Sequence, residues 1–294
     1  MHLFRHNLDI NEATTRRATE RDLTPISRLL RSSTRRYMGF TSEELPTLLA
    51  GAPAMLLEAN QDIWAVAIGG WRSNTAIWLR GLAFNNSLPI SDGLDYLLPA
   101  FHALLRTQGI DAVFYAGDEA TDTWLQPALV ARGYTPDTEV VVYEKRGLAV
   151  PSQGNPDVRV RRGHAVDLPA VLEIDRAGFE AQWNKDEGVL GPALVNAPTF
   201  LIAELNGQAV GYAFVTTHFN GRLIHLVRIA VLPHLRGQAI GVRLLAEVIL
   251  YARTLGADSI TLNTQSNNAV ARRLYEWFGF RLTGESQTVL RYNL

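Results

Sequence analysis

A strand-like run from Leu226 to Leu232 leads into Arg236-Gly237-Gln238-Ala239-Ile240-Gly241, and an apolar-periodic run from Val242 to Leu255 leads out. This order reads as strand, tight turn and helix start. The first main-chain N–H groups of a helix lack intrahelical acceptors and carry partial positive charge, so they converge on an anion set in front of them. A pyrophosphate suits such a cradle, with Arg236 adding charge beside it. Further on, a second helical run from Asn268 to Phe278 carries the phenol of Tyr275. A phenol, with an ordinary pKa of about 10, can return a proton to a departing thiolate, whose thiol has one of about 8.5. Cradle and phenol together point to acyl transfer from a CoA thioester.

An amine acceptor is mostly protonated near neutral pH, so attack on a thioester also needs a base or a water path. On the run Arg222 to Leu232 the polar side chains past the start are His225 and Arg228. His225 is the candidate base, against the alternative of a half-exposed strand histidine. Strict alternation puts His225 and Arg228 on opposite faces unless a bulge intervenes. Asn268 either caps its helix or holds the carrier's arm. Arg243, Arg272 and Arg273 are candidates for a ribose phosphate, or members of a solvated helix face.

The elements that must position these groups are legible around them. Runs at 201–205, 208–219 and 222–232 are joined by Asn206-Gly207 and Asn220-Gly221, the strongest short signal for a hairpin turn, and so predict a three-stranded antiparallel meander. A helix over 240–255 follows, with Gly256 suited to its C-terminal cap, then a strand over 260–264, a helix over 268–278 and a last strand over 289–294. Ahead of the meander, residues 168–187 read as helical. This segment has an acidic tilt, with Glu173, Asp175, Glu180, Asp186 and Glu187 against Arg176 and Lys185. Either it favours a cationic amine or it is a solvated face. Phe179 and Trp183 read as core contacts.

Composition bounds the alternatives. The 294 residues, 47% hydrophobic and 19% charged, suffice for two ordinary domains. Residues 1–149 hold 14 basic and 17 acidic groups and residues 150–294 hold 14 and 12, so neither half is a polycation binder. Arg16, Arg17, Arg21, Arg28, Arg31, Arg35 and Arg36 cluster, but without interleaved aromatics, and a solvated face is expected rather than a nucleic-acid patch. The absence of cysteine excludes disulfides, thiolate metal sites and a cysteine nucleophile. Seven histidines show no paired metal spacing, and no metal is expected. The first seven residues lack a signal peptide's apolar core, and no apolar run is long enough to span a bilayer. A cytoplasmic monomer or homodimer is expected, with neither nucleic acid nor membrane as partner.

The stretch 146–156 concentrates Pro, Gly and Ser, which predicts a linker and a boundary between domains 1–149 and 150–294. Across it the pattern repeats. Asp22-Leu23 corresponds to Asp167-Leu168, Leu82-Ala83-Phe84 to Ile229-Ala230-Val231, and Gly133-Tyr134 to Gly279-Phe280, an offset of about 146 that indicates internal duplication.

With Val231-x-Pro233, Arg236 to Gly241, Asn268, Leu274-Tyr275 and Gly279-Phe280 in place, residues 157–294 resemble the GNAT acyltransferase superfamily, and the whole chain resembles its tandem members. The resemblance implies an α/β fold with a mixed sheet whose fourth and fifth strands splay to admit a pantetheine arm, and acetyl-CoA as donor. It also implies that the amides of Gln238, Ala239, Ile240 and Gly241 grip the diphosphate and that main-chain groups of Ile229 and Val231 pair with the arm. Tyr275 then protonates the leaving sulfur. The acceptor is a small-molecule or peptide primary amine. Ala239 stands where the family usually has Gly. In the first half the corresponding positions are Pro89 to Leu94 and, for the phenol, Leu129, so that half is expected to be a degenerate copy. The alternative function is a non-catalytic acyl-CoA-binding regulatory module.

Overall fold

Both halves open with the same hydrogen-bonded motif. Asp22 accepts from the Thr19 amide at 2.8 Å and takes a two-pronged contact from Arg16; Asp167 accepts from the His164 amide at 2.8 Å and takes the same contact from Arg161. In each case an acid at the start of a helix satisfies a main-chain donor that the helix itself cannot. The computed structural model describes residues 10–60, 62–117 and 119–294, apart from the side chains of residues 119 and 120. The leader reading of residues 1–7 lies outside the described residues. No described helix is long and apolar enough to cross a membrane.

In chain order the elements are β1 (Thr14–Arg17), α1 (Leu23–Ser32), β2 (Arg36–Met38), α2 (Leu45–Gly51), β3 (Ala54–Ala59), β4 (Asp62–Ser73), β5 (Ala76–Phe84), α3 (Ile90–Thr107), β6 (Ala112–Ala116), α4 (Glu119–Asp122), α5 (Leu125–Val130) and β7 (Thr135–Arg146). There follow β8 (Arg159–Arg162), α6 (Leu168–Gly178), α7 (Glu187–Asn196), β9 (Thr199–Leu205), β10 (Gln208–His218), β11 (Leu223–Val231), α8 (Ile240–Thr254), β12 (Ser259–Gln265), α9 (Ala269–Trp277) and β13 (Arg281–Asn293).

Two units result, Met1–Asp137 with Thr288–Leu294, and Thr138–Gln287. They differ from a single cut at 149/150 because of strand pairing. Residues 140–146 of β7 pair with β12 in unit 2, whereas 289–293 of β13 pair with β6 in unit 1. The 146–156 stretch is no free tether either: the Leu148 carbonyl accepts from Arg253 at 2.6 Å, and Leu148 and Val150 pack on the core beneath α8.

In unit 1, β1, β3, β4 and β5 pair antiparallel in that order, and β5 then pairs parallel with β6 over Ala76 to Trp78 alone. Beyond that point β2 takes the same edge of β5, with Arg36, Tyr37 and Met38 opposite Ala83, Leu82 and Gly81. The Tyr37 hydroxyl donates to the Ala116 carbonyl at 2.9 Å, which ties β2 to the end of β6. Cores lie on both faces of the sheet, one against α3 and α5 and one against α1 and α2.

Unit 2 repeats the order β8, β9, β10, β11 antiparallel, then β12 parallel and β7 antiparallel. The meander forms as predicted, and Asn206, Gly207, Asn220 and Gly221 all have positive φ. Gly133 and Gly279, at φ 90° and 85°, both follow a helix, and the next residue's N–H donates to the carbonyl five back, Tyr134 to Leu129 and Phe280 to Tyr275. The helical expectation over 168–187 is corrected: α6 ends at Gly178, Phe179 is extended, and Asp186 caps a separate α7 through the Val189 amide. Asp175 causes the break, since it accepts from the Lys185 amide at 2.8 Å and folds the connection back on itself.

Candidate active site

Strands β11 and β12 pair from Leu223–Ser259 to Leu226–Leu262 and then part. The rest of β11 keeps its other edge on β10, as far as Val231 opposite Gly211. From residue 228 to 231, β11 therefore presents an open edge of main-chain donors and acceptors, which an extended ligand can use as a strand would. Ile229 and Val231, the expected arm-binding residues, lie on this edge with their side chains on the core beneath α8.

The cradle follows at once. After a short 3-10 turn over Pro233–Leu235, Gly237 has φ 85° and Ala239 φ 55°, ψ 21°, and α8 begins at Ile240. Two left-handed residues turn successive amides to one side. Those of Gly237, Gln238 and Ala239 have no main-chain partner among the described residues, and those of Ile240 and Gly241 belong to the first helical turn. The carbonyls point elsewhere: Ala239 O accepts from the Arg243 amide at 3.0 Å, and Gln238 O from the Asn155 side chain at 3.0 Å. Asn155 and Gly154 were missed in the sequence. A Cβ on Gly154 would stand 2.5 Å from the Arg243 nitrogen and 2.8 Å from Ala239 O, so only glycine allows this strap to back the cradle. The sole signal for it is Gly154-Asn155-Pro156, which reads equally well as an ordinary turn.

Arg236 donates to the Gly178 carbonyl at 2.8 Å, linking the cradle to the end of α6. Of the other candidate arginines, Arg243 pairs with Glu247 at 2.7 Å, and Arg272 donates to Tyr143 Oη at 3.0 Å and to the Ser266 carbonyl at 2.8 Å. Both guanidiniums already have partners within the protein.

Tyr275 is buried on α9, its ring 6.0 Å from that of Phe280 and 6.2 Å from that of Tyr143. Burial pushes its phenol above the ordinary tyrosine value, so it stays protonated across the physiological range. Its hydroxyl has no hydrogen-bond partner among the described residues. Asn268 resolves toward the cap: its Oδ1 accepts from the Ala271 amide at 3.2 Å, which leaves its amide nitrogen as the group able to reach a ligand.

The other face of the sheet carries a second constellation. A bulge sets Phe214 opposite Arg228 and Val215 opposite Leu226, leaving Val227 out of the ladder. His225 and Arg228 therefore share a face, the one packed by α6 and α7. The His225 ring lies 3.0 Å from Thr261 Oγ1 through Nδ1. Burial, and then the nearby His218, hold its pKa below the ordinary histidine value, so it is neutral at pH 7 and able to accept a proton. Arg228 pairs with the fully buried Asp175 at 2.5 Å, donates to the Trp183 carbonyl at 2.7 Å and lies 3.7 Å over the Phe179 ring. Tyr212 Oη also donates to Asp175. This corrects the acidic tilt: Asp175 is spent on Arg228 and Asp186 on a cap. Phe179 and Trp183 serve Arg228, as well as packing.

The structure thus brings Ile229, Val231, residues 236–241 and Tyr275 to the α8 side of the β11–β12 opening. His225 stands on the opposite side. In unit 1, Pro89 precedes α3 with φ −59°, no left-handed residue occurs at the start of α3, and Leu129 is fully buried. No cluster of candidate metal ligands occurs among the described residues.

Residues 168–280 match the model of the Acetyltransferase (GNAT) family. The chain is 31% identical over 120 residues to an N-acetylaspartate synthetase of Danio rerio, covering 41% of this chain and 39% of that protein. It is 28% identical over 127 residues to a Bacillus subtilis protein named as a ribosomal protein bS18-alanine N-acetyltransferase, covering 42% of this chain and 82% of that one. In fold it is similar to a tandem GNAT protein from the clavulanic acid biosynthesis pathway, with TM-score 0.60 and 11% identity over 96% of this chain and 98% of the other. Residues 168–280 of unit 2 thus carry a match to the GNAT acetyltransferase family, and the chain as a whole is similar in fold to a tandem GNAT protein.

Proposed function

We propose that unit 2 transfers an acetyl group from acetyl-CoA to a primary amine by direct attack. The observation that carries this is the pairing of β11 with β12 as far as Leu226 and no farther, next to a turn that presents the amides of residues 237–241. Those amides and Arg236 hold the diphosphate, and the open edge at Ile229 and Val231 aligns the arm. The opening passes through the sheet, so the thioester sulfur can meet Tyr275 on one side while the amine approaches from the side of His225. The nitrogen attacks the carbonyl carbon, a C–N bond forms and the C–S bond breaks. His225 takes the amine's proton, directly or through water, and Tyr275 gives one to the sulfur. The main-chain N–H of bulged Val227 is a donor for the carbonyl oxygen.

The two relatives are named for N-acetylation of aspartate and of an alanine. On that ground the α-amine of an amino acid or peptide is the acceptor class. Unit 1 is a degenerate copy that does not turn over substrate. The experiment is CoA release with a panel of amino acids and short peptides, comparing the wild type with Tyr275→Phe. Turnover reduced about a hundredfold or more in the variant supports the general acid. Equal rates remove Tyr275 from the mechanism, and tight acetyl-CoA binding without turnover supports a regulatory module instead.

A further inference from the structure

Unit 1 holds a cavity of about 810 Å³ beside β2, and nothing in the acetyl-transfer reading uses it. Its wall includes Arg31, Arg35, Arg36, Thr34, Met38 and Trp124, and no acidic side chain lines it among the described residues. The strand that builds it takes the place of an arm: β2 occupies the edge of β5 that is open at the corresponding β11 edge of unit 2, and Tyr37 closes β2 onto Ala116. Alternation sends Tyr37 into the core and leaves Arg36 and Met38 on the cavity side.

The seven arginines near the start of the chain do not form one patch. Arg16 is neutralised by Asp22 and Glu58, at 2.8 and 2.9 Å. Arg36 donates to the Ser33 carbonyl at 2.9 Å and the Arg31 carbonyl at 3.3 Å, so it caps α1. Arg31 and Arg35 have no ion-pair partner among the described residues, and Arg35 lies 5.9 Å over the Trp124 ring. Their loop is held before any ligand arrives: Asn86 accepts from the Thr34 amide at 2.8 Å and donates to the Ser32 carbonyl at 3.0 Å. Two guanidiniums without an ion-pair partner among the described residues, on a fixed loop, match a doubly charged anion, and Trp124 with Met38 supplies a wall for an apolar body.

We propose that this cavity binds a small dianion with an apolar body, a phosphate monoester or a dicarboxylate. Calorimetry on the full chain tests it with phenyl phosphate and phthalate as the two head chemistries, inorganic phosphate as head alone and benzyl alcohol as body alone. At least one aromatic dianion binds one per chain, and the single-component probes bind about tenfold more weakly or not at all. Arg31→Gln and Arg35→Gln each weaken binding about tenfold, and Trp124→Leu removes the preference for the aromatic probe over inorganic phosphate. Both arginines are exposed, so an unchanged circular dichroism melt certifies the variants. No heat with either dianion, heat unaffected by both arginine substitutions, or binding only of a short single-stranded oligonucleotide overturns the assignment.

Discussion

Ala239 is the point where backbone strain and ligand binding meet, and replacing it with glycine gives a prediction with a definite sign. At φ 55° and ψ 21° its Cβ is in the left-handed region, which costs a residue with a side chain about 1–2 kcal/mol. Glycine removes that cost but adds about 0.4–1 kcal/mol of unfolded-chain entropy. Ala239→Gly should therefore stabilise unit 2 by about 0.5–1 kcal/mol. The internal control is two residues away. Gly237 has φ 85° and open space around a built Cβ, so Gly237→Ala meets no clash and shows the backbone term alone, destabilising by about 1 kcal/mol. Hydrogen exchange of the α8 amides at graded urea reads unit 2 by itself. The same variant removes a methyl from the cradle, and acetyl-CoA titration should show tightening of about fivefold if that methyl costs about 1 kcal/mol of binding. Two substitutions shifting exchange in the same direction, or a destabilised Ala239→Gly, would refute the strain argument.

Two further outcomes follow from buried groups. Asp175 is fully buried and the Arg228 side chain is 9% exposed, so Asp175→Asn strands a buried guanidinium and should cost about 3–5 kcal/mol in urea melts. Breaking the exposed Arg222–Asp258 pair with Asp258→Asn should cost less than about 1 kcal/mol, and similar costs for the two would contradict the burial argument. His102 is buried against Tyr134 Oη at 2.9 Å and stacked on Tyr292, and burial, then Arg106, holds its pKa down to about 4. Because the unfolded chain binds that proton near pH 6.5 and the folded one does not, stability is full above about 6.5 and declines by roughly 3 kcal/mol as pH falls to about 4. His102→Phe should flatten that part of the wild-type pH profile, and an identical profile in the variant would exclude His102 as its source.

Local signals carried much of this molecule in the sequence. Asn206-Gly207 and Asn220-Gly221 announce their turns because both residues of each pair need positive φ, and Gly237 to Gly241 announces a helix start for the same kind of reason. Partnerships between distant residues left no such mark. The β7–β12 and β6–β13 pairings, the seating of β2 on β5, and the Asp175–Arg228 pair, 53 positions apart, arise only when the chain closes. The Val227 bulge is likewise silent in the residues that form it, yet it decides which face Arg228 shares with His225.

The pairing of β6 with residues 289–293 also bears on how the chain matures as it is synthesised. Unit 1 is otherwise translated by Asp137, but its sheet lacks its closing strand until Thr288 onward emerges, about 150 residues later. At a ribosomal pace of roughly 5–20 residues per second, that leaves the β6 edge unsatisfied for about 8–30 s. A nascent chain in that interval carries the main-chain edge of Ala112 to Ala116 without a partner strand, a state that invites chaperone holding or wrong pairing.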